Sequence, residues 1–256
     1  MYNPIMRFLT AILLLFVTSL SSLARLSWTE CLRSSINEIQ AQGAGHYSVK
    51  DDAHEALARS FRWKGRAIYD KSEPRPSFCS GAVYVALLNA LIKWEAAQGK
   101  AQFSKEAWQA LFPLRYQDGE RAWGWANANG PGLALLIHQL GAGYSFTDWD
   151  KARPFDVIKM WWTHEIGGKE RGHIAFFIKD EGDKVLIWSS NQSLDGQQGG
   201  YGLRYYPKSS IKRALFTRIT KPQAFEGASQ IKFNPWLHGL LRQSSSWADA
   251  LRAIKC

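Results

Sequence analysis

Cys79 stands in the run Ser77 Phe78 Cys79 Ser80 Gly81, and far downstream Gly172 His173 opens the apolar run Ile174 Ala175 Phe176 Phe177 Ile178. A thiol attacks carbonyl carbon as its thiolate, and a neighbouring imidazole is a common base for making one. The positive end of a helix dipole lowers a thiol pKa and holds the sulfur at an accessible edge. From Ala82 to Gln98 the chain has neither Gly nor Pro, and Val83, Leu87, Ala90, Leu91 and Trp94 repeat at helical spacing. Cys79 is therefore expected to head an amphipathic helix, one turn before Val83 on the stripe that faces its packing partner. A small, inert, buried thiol satisfies the same pattern.

The second group comes from a strand. Period-two alternation puts His173, Ala175 and Phe177 on one face and Ile174, Phe176 and Ile178 on the other, with Ala175 leaving room beside the imidazole. Asp180 Glu181 Gly182 Asp183 reads as a hairpin turn, so the following strand returns its end, Ser189 Ser190 Asn191 Gln192, toward His173. Asn191 is then placed to orient the ring, with Gln192 as the fallback, although a strand-end Asn is also an ordinary turn residue. His164 Glu165 invites a metalloprotease reading, but position 168 is Gly where that helix motif needs a second His. No Cys or His grouping has zinc-site spacing, so neither a metal nor another cofactor is expected. His138 reads as a core residue of an apolar helix, and His46, His54 and His238 have no partners at useful spacing.

The elements that must position these groups fall in two blocks. Ser27 with Glu30 forms a capping box for a helix through about Ala41, and a second helix is expected over 51–61. Residues 71–76 read as extended, with Ser77 a cap for the Cys79 helix. Ser104 caps a short helix that stops near Pro113, and 133–140 forms another between Gly-rich turns. Trp123 and Trp125 lie in a turn-rich stretch, which suits either an aromatic groove or the core. From Arg153 onward the pattern changes to short strands at 157–161, 173–179, 184–189, 203–206 and 214–219. Helices followed by an antiparallel sheet argue for one α+β domain.

Composition sets the compartment and the partners. Arg7 followed by the apolar run from Phe8 to Val17 and by Ser22 Leu23 Ala24 is the pattern of a secretory signal peptide over 1–24, too short for a stable membrane span. The formal net charge is +10, to which the leader contributes only Arg7. A basic exported protein favours anionic partners such as cell-wall polymers over nucleic acid. Three cysteines in an oxidising compartment leave an odd thiol. Cys31 and Cys256 lie near the two chain ends, so a disulfide between them would leave Cys79 free.

The order of these parts resembles the papain-like NlpC and CHAP superfamily of cell-wall cysteine hydrolases. The resemblance rests on Phe78 Cys79 Ser80 Gly81, on Arg153 Pro154 Phe155 Asp156 Val157, on Gly172 His173 Ile174 Ala175 and on Ser189 Ser190 Asn191 Gln192. It implies a papain-like α+β fold over 70–220, with the nucleophile helix packed on a small antiparallel sheet. A helical brace over 25–69 would precede it and an extension over 221–256 would follow. It implies Cys79 as nucleophile, His173 as base and Asn191 as third residue, acting on amide bonds of peptidoglycan stem peptides in the periplasm or outside the cell. Arg75, Lys159, Trp123 and Trp125 are the residues read as holding substrate. Phe78 stands where the family often has an acidic or small polar residue, and Phe155 replaces its Gly. Interception of the thioester by an amine or alcohol would make the same groups an acyltransferase of transglutaminase type. Loss of the chemistry would leave a wall-binding protein on a peptidase scaffold.

Overall fold

The computed structural model describes residues 26–73, 75–114, 118–194 and 196–256; the leader read at 1–24 lies outside them. Helix α1 (Trp28–Ala41) begins at the expected capping box. The Glu30 N–H donates to Ser27 Oγ at 3.3 Å, and the Ser27 N–H donates to the Glu30 carboxylate at 2.7 Å. Helix α2 (Asp51–Arg59) stops short of Phe61, which instead starts strand β1 (Phe61–Trp63), paired antiparallel with β2 (Ala67–Tyr69).

Helix α3 (Cys79–Ala97) is buried on every side from Gly81 through Leu91, so the expected amphipathic stripe is replaced by an enclosed central helix whose buried part is apolar but for Asn89 and the Tyr84 hydroxyl. A helix that is apolar all round must be enclosed, and α3 lies between α1 and the main sheet. Ser77 is not its cap, because its hydroxyl donates to Ser190 Oγ at 2.8 Å and Phe78 takes the N-cap position. The Phe78 ring folds back over Gly81, where a Cβ would stand 3.3 Å from the ring. Helices α4 (Lys105–Leu111), α5 (Arg121–Asn127) and α6 (Gly132–Gln139) complete the helical layer.

Strands β3 (Gly143–Phe146), β4 (Val157–Trp161), β6 (Gly172–Asp180), β7 (Lys184–Asn191), β8 (Gly200–Pro207) and β9 (Arg213–Ile219) form one antiparallel sheet in the order β3-β9-β4-β6-β7-β8. Every expected strand is present, and β3 is an addition. A short pair, β5 (Ile166–Gly167) with β10 (Ser244–Ser245), joins the sheet region to the C-terminal helices α7 (Pro235–Gly239) and α8 (Trp247–Ala253). The architecture is mixed α and β, with six α-helices among the described residues before the main sheet and two short ones after it.

The two sheet faces have separate cores. Ile174, Phe176, Trp188 and Leu215 meet the helices, whereas Ile158, Met160, Ala175, Phe177 and Phe216 pack among themselves under Trp149, Trp162 and Tyr206. Each buried Ile, Leu, Met or Phe among them contributes about 1.5–3 kcal/mol. The expected disulfide is not formed. Cys31 points inward from α1 beside Leu32 and Ile36, where burial pushes its thiol pKa up, while Cys256 is exposed at the chain end.

Candidate active site

The site lies where two strands part. The β6 and β7 ladder runs from Asp180 opposite Val185 to Phe176 opposite Trp188 and goes no further. Past that point 189–191 stay paired with β8 alone. Ile174 is left with its main chain facing the gap, its carbonyl accepting from Ser189 Oγ at 2.8 Å and its N–H donating to the Cys79 sulfur. The sulfur thus occupies a place that a β7 main-chain acceptor would otherwise fill.

His173 completes the contact. Its ring is hydrogen-bonded to the Cys79 thiol, although its strand position shares a face with Ala175 and Phe177. Burial alone would push the Cys79 pKa up. The His173 ring, the Ile174 N–H and the charge of Lys159 outweigh it and bring the thiol down to about 7. His173 is 7% exposed and rests against Tyr206, ring centroids 5.8 Å apart, and its Nε2 is buried without a hydrogen-bond partner.

Tyr47 is a member of the site that sequence reasoning missed. Its hydroxyl lies against the Cys79 sulfur and the Gln192 side chain, and burial followed by the thiolate charge raises its pKa. Two clamps deliver it. Ser77 N–H donates to the His46 carbonyl at 3.1 Å and Ser48 N–H to the Ser77 carbonyl at 2.9 Å, while Tyr201 N–H donates to the Ala44 carbonyl at 2.8 Å. The second clamp requires glycine at 200, where φ is +100° and a Cβ would stand 2.2 Å from the Ala44 oxygen.

The start of α3 is tied on its other side. Ser80 Oγ donates to Asn127 Oδ1 at 2.8 Å, and Asn127 donates to Asp118 at 3.0 Å. Because α3 has no side-chain cap, the N–H groups of its first turn remain available at the sulfur. A cavity of about 160 Å³ opens there, bordered by the 127–132 turn, Lys159 and Gly172. Lys159 Nζ is 2.7 Å from Glu170 Oε1; Oε2 accepts from Gly130 N–H and Gly167 N–H at 2.7 Å and from Trp161 Nε1 at 3.2 Å. Glu170 therefore pins the cavity wall. A second cavity of about 280 Å³ lies on the His173 side, bordered by Tyr47, Trp162, Arg171, Gln192 and Tyr206.

Of the residues singled out from sequence, Cys79, His173 and Lys159 come together and four others do not. Asn191 is buried, but its amide donates to the Ser189 and Gly202 carbonyls at 3.2 and 3.1 Å and its oxygen lies 3.5 Å from the Tyr206 hydroxyl. Among the described residues no hydrogen bond joins it to His173. Gln192, the fallback, reaches the site through Tyr47. Trp123 and Trp125 are core residues of α5, 3% and 6% exposed, the first against Tyr84 and the second donating to the Lys232 carbonyl at 3.0 Å. Arg75 donates to the Ile39 carbonyl at 3.1 Å and covers the Tyr201 ring.

Asp156, read from its place before β4, accepts Arg218 on both oxygens at 2.8 and 2.7 Å and is structural. Phe155 holds φ +73°, a conformation that favours glycine. Among the described residues no group of three His, Cys, Asp or Glu side chains is placed to hold a metal, and no helix is long and apolar enough to cross a membrane. Compared with protein-family models, with curated proteins and with solved structures, the chain matches none.

Proposed function

We propose that the protein is a papain-like cysteine hydrolase that cleaves amide bonds by acyl transfer to Cys79. The observation that carries this reading is the Cys79 thiol, lowered to about 7 and held between the His173 ring and the Ile174 N–H at the mouth of a cavity. Thiolate attack on the carbonyl carbon forms the S–C bond. The Cys79 and Ser80 N–H groups and the Tyr47 hydroxyl are the donors nearest the developing oxyanion. His173 carries the thiol proton to the departing nitrogen as the C–N bond breaks, then takes one from the water that hydrolyses the thioester. Two groups suffice for this sequence, with Tyr206 packing in place of a polar third residue.

The substrate class in this reading is the peptide portion of cell-wall polymer, met in the periplasm or outside the cell. It is supported by the leader-like residues 1–24 and the net charge of +10. The test incubates purified wall fragments with wild type and Cys79→Ala and identifies products by mass spectrometry. New carboxyl and amino ends formed by wild type alone are the expected result. Conjugates without new carboxylates would instead mean transfer to an acceptor. Equal cleavage by both proteins would remove Cys79 as nucleophile.

A further inference from the structure

The cavity on the His173 side has features that the acyl-transfer step does not use. Arg171 is exposed at its border, and no ion pair or hydrogen bond among the described residues engages its guanidinium. Glu170, the one acid on the lining, is spent on Lys159, Trp161, Gly130 and Gly167. Trp162 and Tyr206 stand as an aromatic wall, centroids 5.1 Å apart. The His173 side chain, more than nine-tenths buried, borders the same cavity with Nε2 unpartnered. At about 280 Å³ the space lies near the lower bound of ligand sites and suits a single amino-acid residue rather than a polymer strand.

Chemistry fixes which part of a substrate belongs there. The group that protonates the leaving nitrogen must touch it, so the leaving amine lies on the His173 side and the acyl group on the Cys79 side. We propose that this cavity is the leaving-group subsite and that it selects an amino acid with a free α-carboxylate, paired with Arg171 and packed on Trp162 and Tyr206. The protein then acts as a trimming enzyme that releases carboxy-terminal residues, in preference to cutting within a chain. The assignment rests on Cys79 being the nucleophile. A guanidinium and a carboxylate form the strongest of the side-chain hydrogen-bonded pairs, which gives the subsite its discrimination.

The test needs no knowledge of the natural substrate. N-bromoacetyl-alanine and N-bromoacetyl-alaninamide both alkylate a thiolate with loss of bromide, and they differ only in the terminal carboxylate. Rates at Cys79 are measured by mass spectrometry, and the acid-to-amide ratio is divided by the same ratio for free cysteine. The expected ratio is about tenfold in favour of the acid, falling toward one in Arg171→Gln and, in wild type, as salt screens the pair. Arg66→Gln, an equal change of charge at an exposed arginine of the β1–β2 turn, is expected to keep the wild-type ratio. A wild-type ratio near one, or a preference that survives Arg171→Gln, overturns the subsite. Absence of labelling at Cys79 by either reagent overturns the nucleophile itself, a result distinct from the other two.

Discussion

The Tyr47 hydroxyl is set against the Cys79 sulfur by a bridge that pairs Tyr47 with Ser77, two residues before the thiol. In the proposed reaction a donor held at Cys79 also lies beside the oxygen of the carbonyl under attack. Tyr47→Phe is expected to lower Cys79-dependent turnover by about tenfold to a hundredfold with little change in KM. Steady-state kinetics on the released wall peptide would show it, and an unchanged kcat would remove Tyr47 from the chemistry.

The thiol titrates early because of its neighbours. Cys79 alkylation by iodoacetamide is expected to rise through a midpoint near pH 7, since the thiolate forms as pH passes the lowered pKa. His173→Ala should move that midpoint upward, burial then being less opposed. A midpoint that stays near 7 in the variant would assign the shift to Ile174 and Lys159 alone.

Asn191 separates what the sequence allows from what the fold does. Extending the register from Phe176 opposite Trp188 would set Asn191 opposite His173, which is why the hairpin argument chose it. The strands diverge first, and β8 keeps Asn191. Asn191→Ala is expected to cost about 1–3 kcal/mol of stability through unpaired buried carbonyls, with the alkylation midpoint of Cys79 unmoved. Urea denaturation and the pH profile together check it; a shifted midpoint would restore Asn191 to the ring.

Glu170 is a buried anion with four partners, and although burial opposes ionisation, Lys159 and the N–H donors hold its carboxyl below the ordinary range. A lowered pKa contributes stability at neutral pH that is lost as acidity passes the ordinary glutamate range and then the lowered value. Glu170→Gln leaves Lys159 without its counter-ion and is expected to cost about 3 kcal/mol at pH 7, with the difference from wild type shrinking in acid. Denaturation at a series of pH values measures both.

Several local signals in the sequence hold in the fold, although Ser77, read as a cap, does not cap α3. The Ser27 and Glu30 box, the Ser104 cap and the alternation around His173 each depend on residues a few positions apart, and each element stands where those rules put it. What escaped was set by distant segments. Trp123 and Trp125 looked like loop residues because Gly124 and the nearby Gly and Asn carry turn signals, yet α5 forms since both rings have core to fill. The apparent stripe on α3 hid a helix enclosed on both sides. Tyr47 had no local mark at all; its nearest sign is Gly200, whose positive φ admits the segment that carries it.

The parting of β6 from β7 gives the reactive atom a second occupation. The sulfur is a rung of the sheet, accepting from the Ile174 N–H of β6 where the β7 pairing has already ended. Chemical modification of Cys79 is therefore a change in the wiring of the scaffold as well as in the thiol. A modified sulfur, stripped of its charge, is a poorer acceptor for the Ile174 N–H. What alters the thiol therefore also leaves a main-chain donor of β6 less well paired, at the point where β7 has parted from it.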